Sequence, residues 1–198
     1  ASVPVSITPL IRDPLTKWFT RERGQYESTD FTYTRFLVPF LSGFTGVSIF
    51  MDCDMLCKVD LADLVRATNF ERPVWACQHA YVPKTDTKFL GQPQTAYPRK
   101  NWSSLMVFYN AWCKMLTPDY INQASGLELH RFLWMNEIGA LPLEWNWLVG
   151  EYPHNDDAKI LHYTLGGPWF EETRHCDHAE EWRADYMHMI GASVRELV

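Results

Sequence analysis

Val47-Ser48-Ile49-Phe50-Met51-Asp52-Cys53-Asp54-Met55-Leu56 is the stretch that decides the fold. Its first five residues are nearly all apolar and β-prone, and they run straight into two aspartates separated by one residue. A short apolar run ending in acids reads as a buried strand that delivers carboxylates to its C-terminal rim. In open α/β sheets that rim is where ligands bind. Two carboxylates one residue apart point to opposite faces of a continuing strand, but where the backbone turns both can approach one hard cation. The plain alternative is a solvated acidic turn. Downstream, Asp60-Leu61-Ala62-Asp63-Leu64-Val65 reads as the first turns of a helix, with Asp60 as N-cap and Asp63 completing a capping-type pattern.

The 198 residues suffice for one substantial domain with its own core, and the expectation is a single domain over residues 1–198. With 46% hydrophobic and 21% charged residues, the composition is that of an ordinary globular protein and not of a disordered one. The formal net charge is -6 and no basic run exceeds two residues. This argues against nucleic acid or an anionic membrane surface as the main partner. No apolar run approaches the ~18 residues that a membrane-spanning helix needs. Five cysteines, Cys53, Cys57, Cys77, Cys113 and Cys176, show no paired spacing, so the expectation is a reducing, cytoplasmic setting without a disulfide framework. Cys53 and Cys57 read as small packing residues.

Along the chain, residues 3–10 suggest a strand and residues 11–19 a short helix broken by Pro14. A loop over 21–29 precedes a helix over 31–41, with Ser28, Thr29 and Asp30 as caps. Strands are expected at 47–52, 74–79, 104–110 and 159–163, a long polar loop at 80–100, and helical stretches at about 111–116, 126–135 and 178–198. Strands alternating with helices give an α/β protein with a mixed central sheet flanked by helices.

The second informative stretch is Ile160-Leu161-His162-Tyr163-Thr164-Leu165-Gly166-Gly167-Pro168-Trp169. Again a strand ends in a metal-capable side chain, His162, and a Gly-rich turn follows whose backbone can come close to phosphate. A hydrogen-bonded core histidine and a simple turn are the alternatives. Together with Asn101-Trp102-Ser103-Ser104-Leu105-Met106 and Leu141-Pro142-Leu143-Glu144-Trp145-Asn146, these stretches occur in an order that resembles the family 8 type of GT-A glycosyltransferases, the nucleotide-diphospho-sugar transferases. The resemblance runs from about residue 3 to about residue 170.

It implies a mixed α/β fold and transfer of a sugar, with retention, from a nucleoside-diphosphate donor of the UDP type to a sugar, lipid or protein acceptor. It further implies that Asp52, Asp54 and His162 hold a manganese or magnesium ion bridging the donor phosphates. Arg35 would lie near the diphosphate or ribose, while Asn101 and Ser103 would contact the donor sugar. Asn136 and Glu137 fall where the family places a group beneath the reacting carbon. Trp145 and Asn146 would shape the far side of the pocket, and Gly166 and Gly167 would wrap the phosphates. The chemistry suits these types, because a cation stabilises the leaving diphosphate and a carboxylate or amide carbonyl stabilises the oxocarbenium-like carbon.

Two departures from the family pattern stand out. Gly167 occupies the place of a lysine, which passes phosphate neutralisation to Lys84, Arg99 or Lys100. The strand that opens GT-A folds with the base pocket is expected to be missing before Ala1. A nucleotide-sugar binder without turnover is therefore the first alternative. A haloacid dehalogenase-type phosphatase, with Asp52 as nucleophile, is the second, but it expects Thr or Val where Leu56 stands. His175-Cys176-Asp177-His178 reads as a solvated turn, since its spacing serves zinc poorly without partners elsewhere. Glu180-Glu181-Trp182-Arg183 reads as a solvated helix face. Tyr81, Tyr97, Trp102 and Trp112 are either an acceptor platform or core.

Overall fold

The computed structural model describes residues 1–24, 29, 31–93 and 97–191. The expected caps Ser28 and Asp30, part of the long loop (94–96) and the end of the tail (192–198) lie outside them. The chain divides into two compact units. The larger comprises Ala1–Asp52, Asp60–Ala80 and Tyr97–Leu143, and the smaller Cys53–Val59, Tyr81–Ala96 and Glu144–Val198. In chain order the strands are β1 (Val47–Met51), β2 (Met55–Cys57), β3 (Val74–Cys77), β4 (Thr87–Lys88), β5 (Gln92–Pro93), β6 (Leu105–Tyr109), β7 (Gly139–Leu141), β8 (Trp147–Leu148) and β9 (Ile160–His162). The α-helices are α1 (Val38–Leu41), α2 (Leu61–Arg66), α3 (Pro118–Gln123), α4 (Gly126–His130) and α5 (Ala179–Ile190).

The larger unit is built on a mixed sheet of order β1-β6-β3-β7, antiparallel except for the parallel pair β3/β7. Its two central strands are continuous apolar runs, Val-Trp-Ala-Cys and Leu-Met-Val-Phe-Tyr, and nearly every residue in them is buried. Such runs mark strands covered on both faces. Phe36, Leu37, Phe50, Met106, Phe108 and Phe132 form the centre of the core. α2 starts as expected, the Asp60 carboxylate accepting from the Ala62 N–H, and this bond holds its carboxyl down at about 2. Asp63 does not close a capping box but pairs with Arg66 at 2.6 Å.

Four expectations are corrected in this unit. Residues 3–10 form no strand: Pro4 and Pro9 lack ladder donors, and Val3, Val5 and Ile7 are exposed. The 31–41 helix splits into a 3-10 turn at Thr34–Leu37 and the single turn α1, whose Pro39 fits only the first helical turn. The helix expected at 111–116 lies later, at α3. There Thr117 accepts from the Tyr120 N–H and Pro118 occupies the first position, a start signal that the apolar spacing around it obscured. α4 carries a full capping box between Ser125 and Glu128 but stops at His130.

The smaller unit has a second mixed sheet of order β2-β9-β8 and the two-stranded β4/β5 ribbon in the long loop. Neither β2 nor β8 is legible as a strand, because three and two residues are too few to show a period. Leu56, Val149, Ala158, Leu161 and Tyr163 form its core, with Trp182 packed against them. The Glu180–Arg183 run is thus only partly a solvated face. α5 ends at Gly191, which adopts the left-handed conformation (φ 70°) of a helix C-cap. Among the described residues no helix is long and apolar enough to cross a membrane.

Two predictions follow from packing in the larger unit. A Cβ on Gly139 would lie 2.1 Å from the Trp75 ring, so Gly139→Ala is expected to lower stability by about 1–3 kcal/mol through overpacking; an unchanged urea midpoint would refute this. His130 is half-buried at the end of α4, its Nδ1 2.8 Å from Ser103 Oγ. Burial first, then the charges of Arg35 and Arg21, push its pKa from 6.5 down to about 3. The folded state therefore holds His130 neutral while the unfolded chain takes up a proton below pH 6.5. Its contribution is complete above that pH and is lost as pH falls toward 3. Urea titrations should show stability falling less steeply over this range in His130→Gln than in the wild type.

Candidate functional site

β1 delivers Asp52 to the rim of the larger unit's sheet. The Asp52 N–H donates to the Ser104 carbonyl at 2.9 Å, continuing the β1/β6 pairing one residue past the strand. Arg35, on the 3-10 turn before α1, meets the Asp52 carboxylate at 3.0 Å and also donates to the Ser103 carbonyl at 2.8 Å. The pair is almost fully enclosed, the side chains being 7% and 15% exposed. The guanidinium lies over the Phe50 and Phe31 rings, 4.9 and 5.3 Å from their centroids. Ser103 is buried and holds His130 through its hydroxyl. Asn101 is a left-handed residue (φ 62°) whose carbonyl accepts from the Ser104 hydroxyl at 2.6 Å.

In the smaller unit, Asp54 directly precedes β2 and His162 ends β9. The register Met55↔His162 and the bond from the Tyr163 N–H to the Asp54 carbonyl, 2.9 Å, bring the two together. The Asp54 Oδ1 lies 3.3 Å from His162 Nε2. The other ring nitrogen, Nδ1, is 2.9 Å from the side-chain oxygen of Asn146, which is itself fully buried. An amide oxygen accepts only, so Nδ1 carries a proton, and the other ring nitrogen, Nε2, faces the Asp54 carboxylate. Trp145 is buried, and the Lys159 ammonium sits 4.6 Å above its ring. Gly166 has φ 113° and its N–H closes a turn onto the Tyr163 carbonyl at 2.8 Å. A Cβ on Gly167 would strike the Trp169 ring at 2.1 Å, which explains why no lysine fits there.

The remaining expected residues are held as follows. Asn136 and Glu137 are exposed, and Glu137 pairs with Arg72 at 3.0 Å. Lys84 gives its ammonium to the Gly150 carbonyl at 2.9 Å. Arg99 bonds the Arg131 carbonyl, and the Lys100 ammonium lies 5.2 Å from the Tyr97 ring. Trp102 packs on the core and donates to the His79 carbonyl at 2.8 Å, while Trp112, in the turn after β6, lies half exposed beside Tyr109. Tyr81 meets Tyr152. The partner of His162, Asn146, was expected only to shape a pocket; its place two positions before the end of β8 carries no signal for that role.

No family model matches the chain. Among solved structures, the glycosyltransferase GlyE of Streptococcus pneumoniae TIGR4 superposes with a TM-score of 0.51 at 16% identity, covering 76% of this chain and 42% of that one. Its apo form gives 0.50 at 17%, covering 83% and 44%. The chain thus spans less than half the length of either, and the likeness concerns the fold: a mixed α/β fold of the GT-A glycosyltransferase kind. Protein CDI of Arabidopsis thaliana is 44% identical over 194 residues, which cover 92% of this chain and 74% of that protein. With that identity and coverage, on a GT-A-like glycosyltransferase fold, the chain belongs to the family of Protein CDI.

Proposed function

We propose that the chain is a metal-dependent glycosyltransferase domain, moving a sugar with retention from a nucleoside-diphosphate donor of the UDP type to a sugar, lipid or protein acceptor. The observation that carries this reading is the facing of His162 Nε2 and Asp54 Oδ1 at 3.3 Å, with Asn146 behind the imidazole. A ring nitrogen facing a carboxylate oxygen at this distance is bridged by a proton or, with the ring neutral, by a cation. Ligand atoms sitting side by side on an ion that holds each at about 2.1 Å are about 3 Å apart, so these residues fit. Asp52, two positions upstream in the chain, is the third proposed ligand, its carboxylate oriented by Arg35. Mixed oxygen and nitrogen ligation suits manganese, with magnesium as the substitute. Once bound, the ion supplies Lewis-acid stabilisation of the diphosphate leaving group. The buried Gly166–Gly167 turn offers close backbone approach to phosphate, with Asn101 and Ser103 proposed to contact the donor sugar and Trp145 to shape the far side of the pocket.

One observation favours a second reading, donor binding without turnover. Glu137, assigned beneath the reacting carbon, lies at the surface on Arg72, and Asn136 is exposed beside it.

The test is calorimetric titration of manganese and then UDP into the wild type, Asp54→Ala, His162→Ala and Asn146→Ala. UDP binding is expected to require the ion and to vanish in the first two variants. Asn146→Ala is expected to weaken the ion by about 10- to 100-fold, as loss of an orienting partner does. UDP binding that ignores both the ion and Asp54→Ala would overturn the site. Hydrolysis or transfer of the sugar from UDP-sugars separates the two readings: metal-dependent UDP binding with no turnover of any donor selects the second.

A further inference from the structure

We infer that the smaller unit carries a separate cation site, built from His154, Asp177 and His178 and suited to zinc. His154 lies in the loop after β8, and Asp177 and His178 immediately precede α5. One ligand-capable atom from each lies within 4.8 Å of the other two. Asp177 is the centre of the group. Its Oδ1 is 2.6 Å from His154 Nδ1, and its Oδ2 is 3.5 Å from His178 Nε2. The two imidazoles stack, with centroids 4.5 Å apart and 15° between their planes.

Each ring has its second nitrogen on a different carboxylate. His154 Nε2 meets Asp156 Oδ1 at 3.0 Å, and His178 Nδ1 meets Glu181 Oε1 at 2.7 Å. An outer carboxylate on each histidine is the arrangement by which metal proteins fix the tautomer and raise the basicity of a ligating imidazole. The decisive atom is His178 Nε2. The side chain is 0% exposed, and this nitrogen is buried without a hydrogen-bond partner. With the Nδ1 proton given to Glu181, Nε2 presents a lone pair to the carboxylate of Asp177, two acceptors with room for a cation between them.

Two imidazoles and one carboxylate suit zinc, whereas magnesium and calcium favour all-oxygen sets. His154 at 55% and Asp177 at 32% exposure leave the ion a path in and a fourth position for water. The ion ties the 153–157 loop to the start of α5. His175 and Cys176, the other members of the motif, do not join; Cys176 packs against the Leu56–Tyr163 core instead. His154, 23 positions away from Asp177, is the partner that the spacing of the motif alone could not supply.

The site is tested by titrating zinc into the metal-stripped full chain, with cobalt absorption as a second readout. His154 is exposed, so His154→Gln leaves the fold intact. One zinc equivalent is expected in the wild type and in Asp54→Ala. It should be lost, or weakened by roughly 100-fold, in His154→Gln and Asp177→Asn. Asp156→Asn, which keeps all three ligands, should weaken it by about 10- to 100-fold. Zinc bound by His154→Gln as tightly as by the wild type, or no zinc bound by the wild type, overturns the inference. So does an equivalent lost in Asp54→Ala and kept in His154→Gln, which would assign the ion to the Asp54–His162 pair.

Discussion

A guanidinium cannot be taken out of water without an anion, and the burial of Arg35 organises the rim of the larger unit around that requirement. Desolvating an ion costs several kcal/mol even after relaxation, and Arg35 is only 6% exposed. The compensation comes from three directions: the Asp52 carboxylate, the Ser103 and Phe31 carbonyls, and the faces of Phe31 and Phe50. They come from three pieces of chain, at residue 31, at residues 50–52 and at residue 103. The same pair therefore fixes the end of β1, the turn that leads into β6 and the 3-10 helix between residues 34 and 37. Such a pair contributes little net stability against an apolar replacement, yet breaking it leaves an uncompensated charge. It is a device for placing Asp52 and only secondarily a source of stability.

His130, His162 and His178 sit in distinct environments, and each accommodates its ring differently. His130 stays neutral because two arginines and its own burial oppose a proton. His162 donates its Nδ1–H to an amide oxygen and turns Nε2 toward Asp54. His178 gives its proton to Glu181 and turns a lone pair toward Asp177. Only the last two point a nitrogen at a carboxylate, and only those two have chemistry to offer an ion. What distinguishes them is the identity of the second partner.

This is also why the chain was legible in part. β1, β3, β6 and β9 announce themselves as apolar runs, and the acid or imidazole at the ends of β1 and β9 is visible in the letters. What short pieces of chain do after such a run is not. Asp54 becomes useful to His162 because β2 pairs with β9, a contact of three residues with no period. Asn146 becomes the orienting partner of His162 through a long-range meeting that no local pattern encodes. The misplaced helix at 111–116 failed for the opposite reason. There the local signal, Thr117-Pro118, was present and was outweighed by apolar residues that serve the core. Pro4 and Pro9 likewise outweigh the alternation of Val3, Val5 and Ile7, leaving those side chains exposed.

The outer partners of the two histidine–carboxylate groups point to different ions. At His162 the partner behind the imidazole is a neutral amide, which orients the ring without increasing its basicity as an anion does. A moderately basic nitrogen beside carboxylates is a mixed, comparatively hard ligand set, suited to an ion such as manganese that shares its remaining positions with phosphate oxygens. At His154 and His178 both outer partners are carboxylates, Asp156 and Glu181. Two imidazoles made more basic in this way, with a single carboxylate between them, favour a borderline ion that accepts few ligands at low coordination number, which is the behaviour of zinc. The distinction rests on one atom type behind each ring, oxygen of an amide against oxygen of a carboxylate, and under the two proposals it suits the two clusters to different ions.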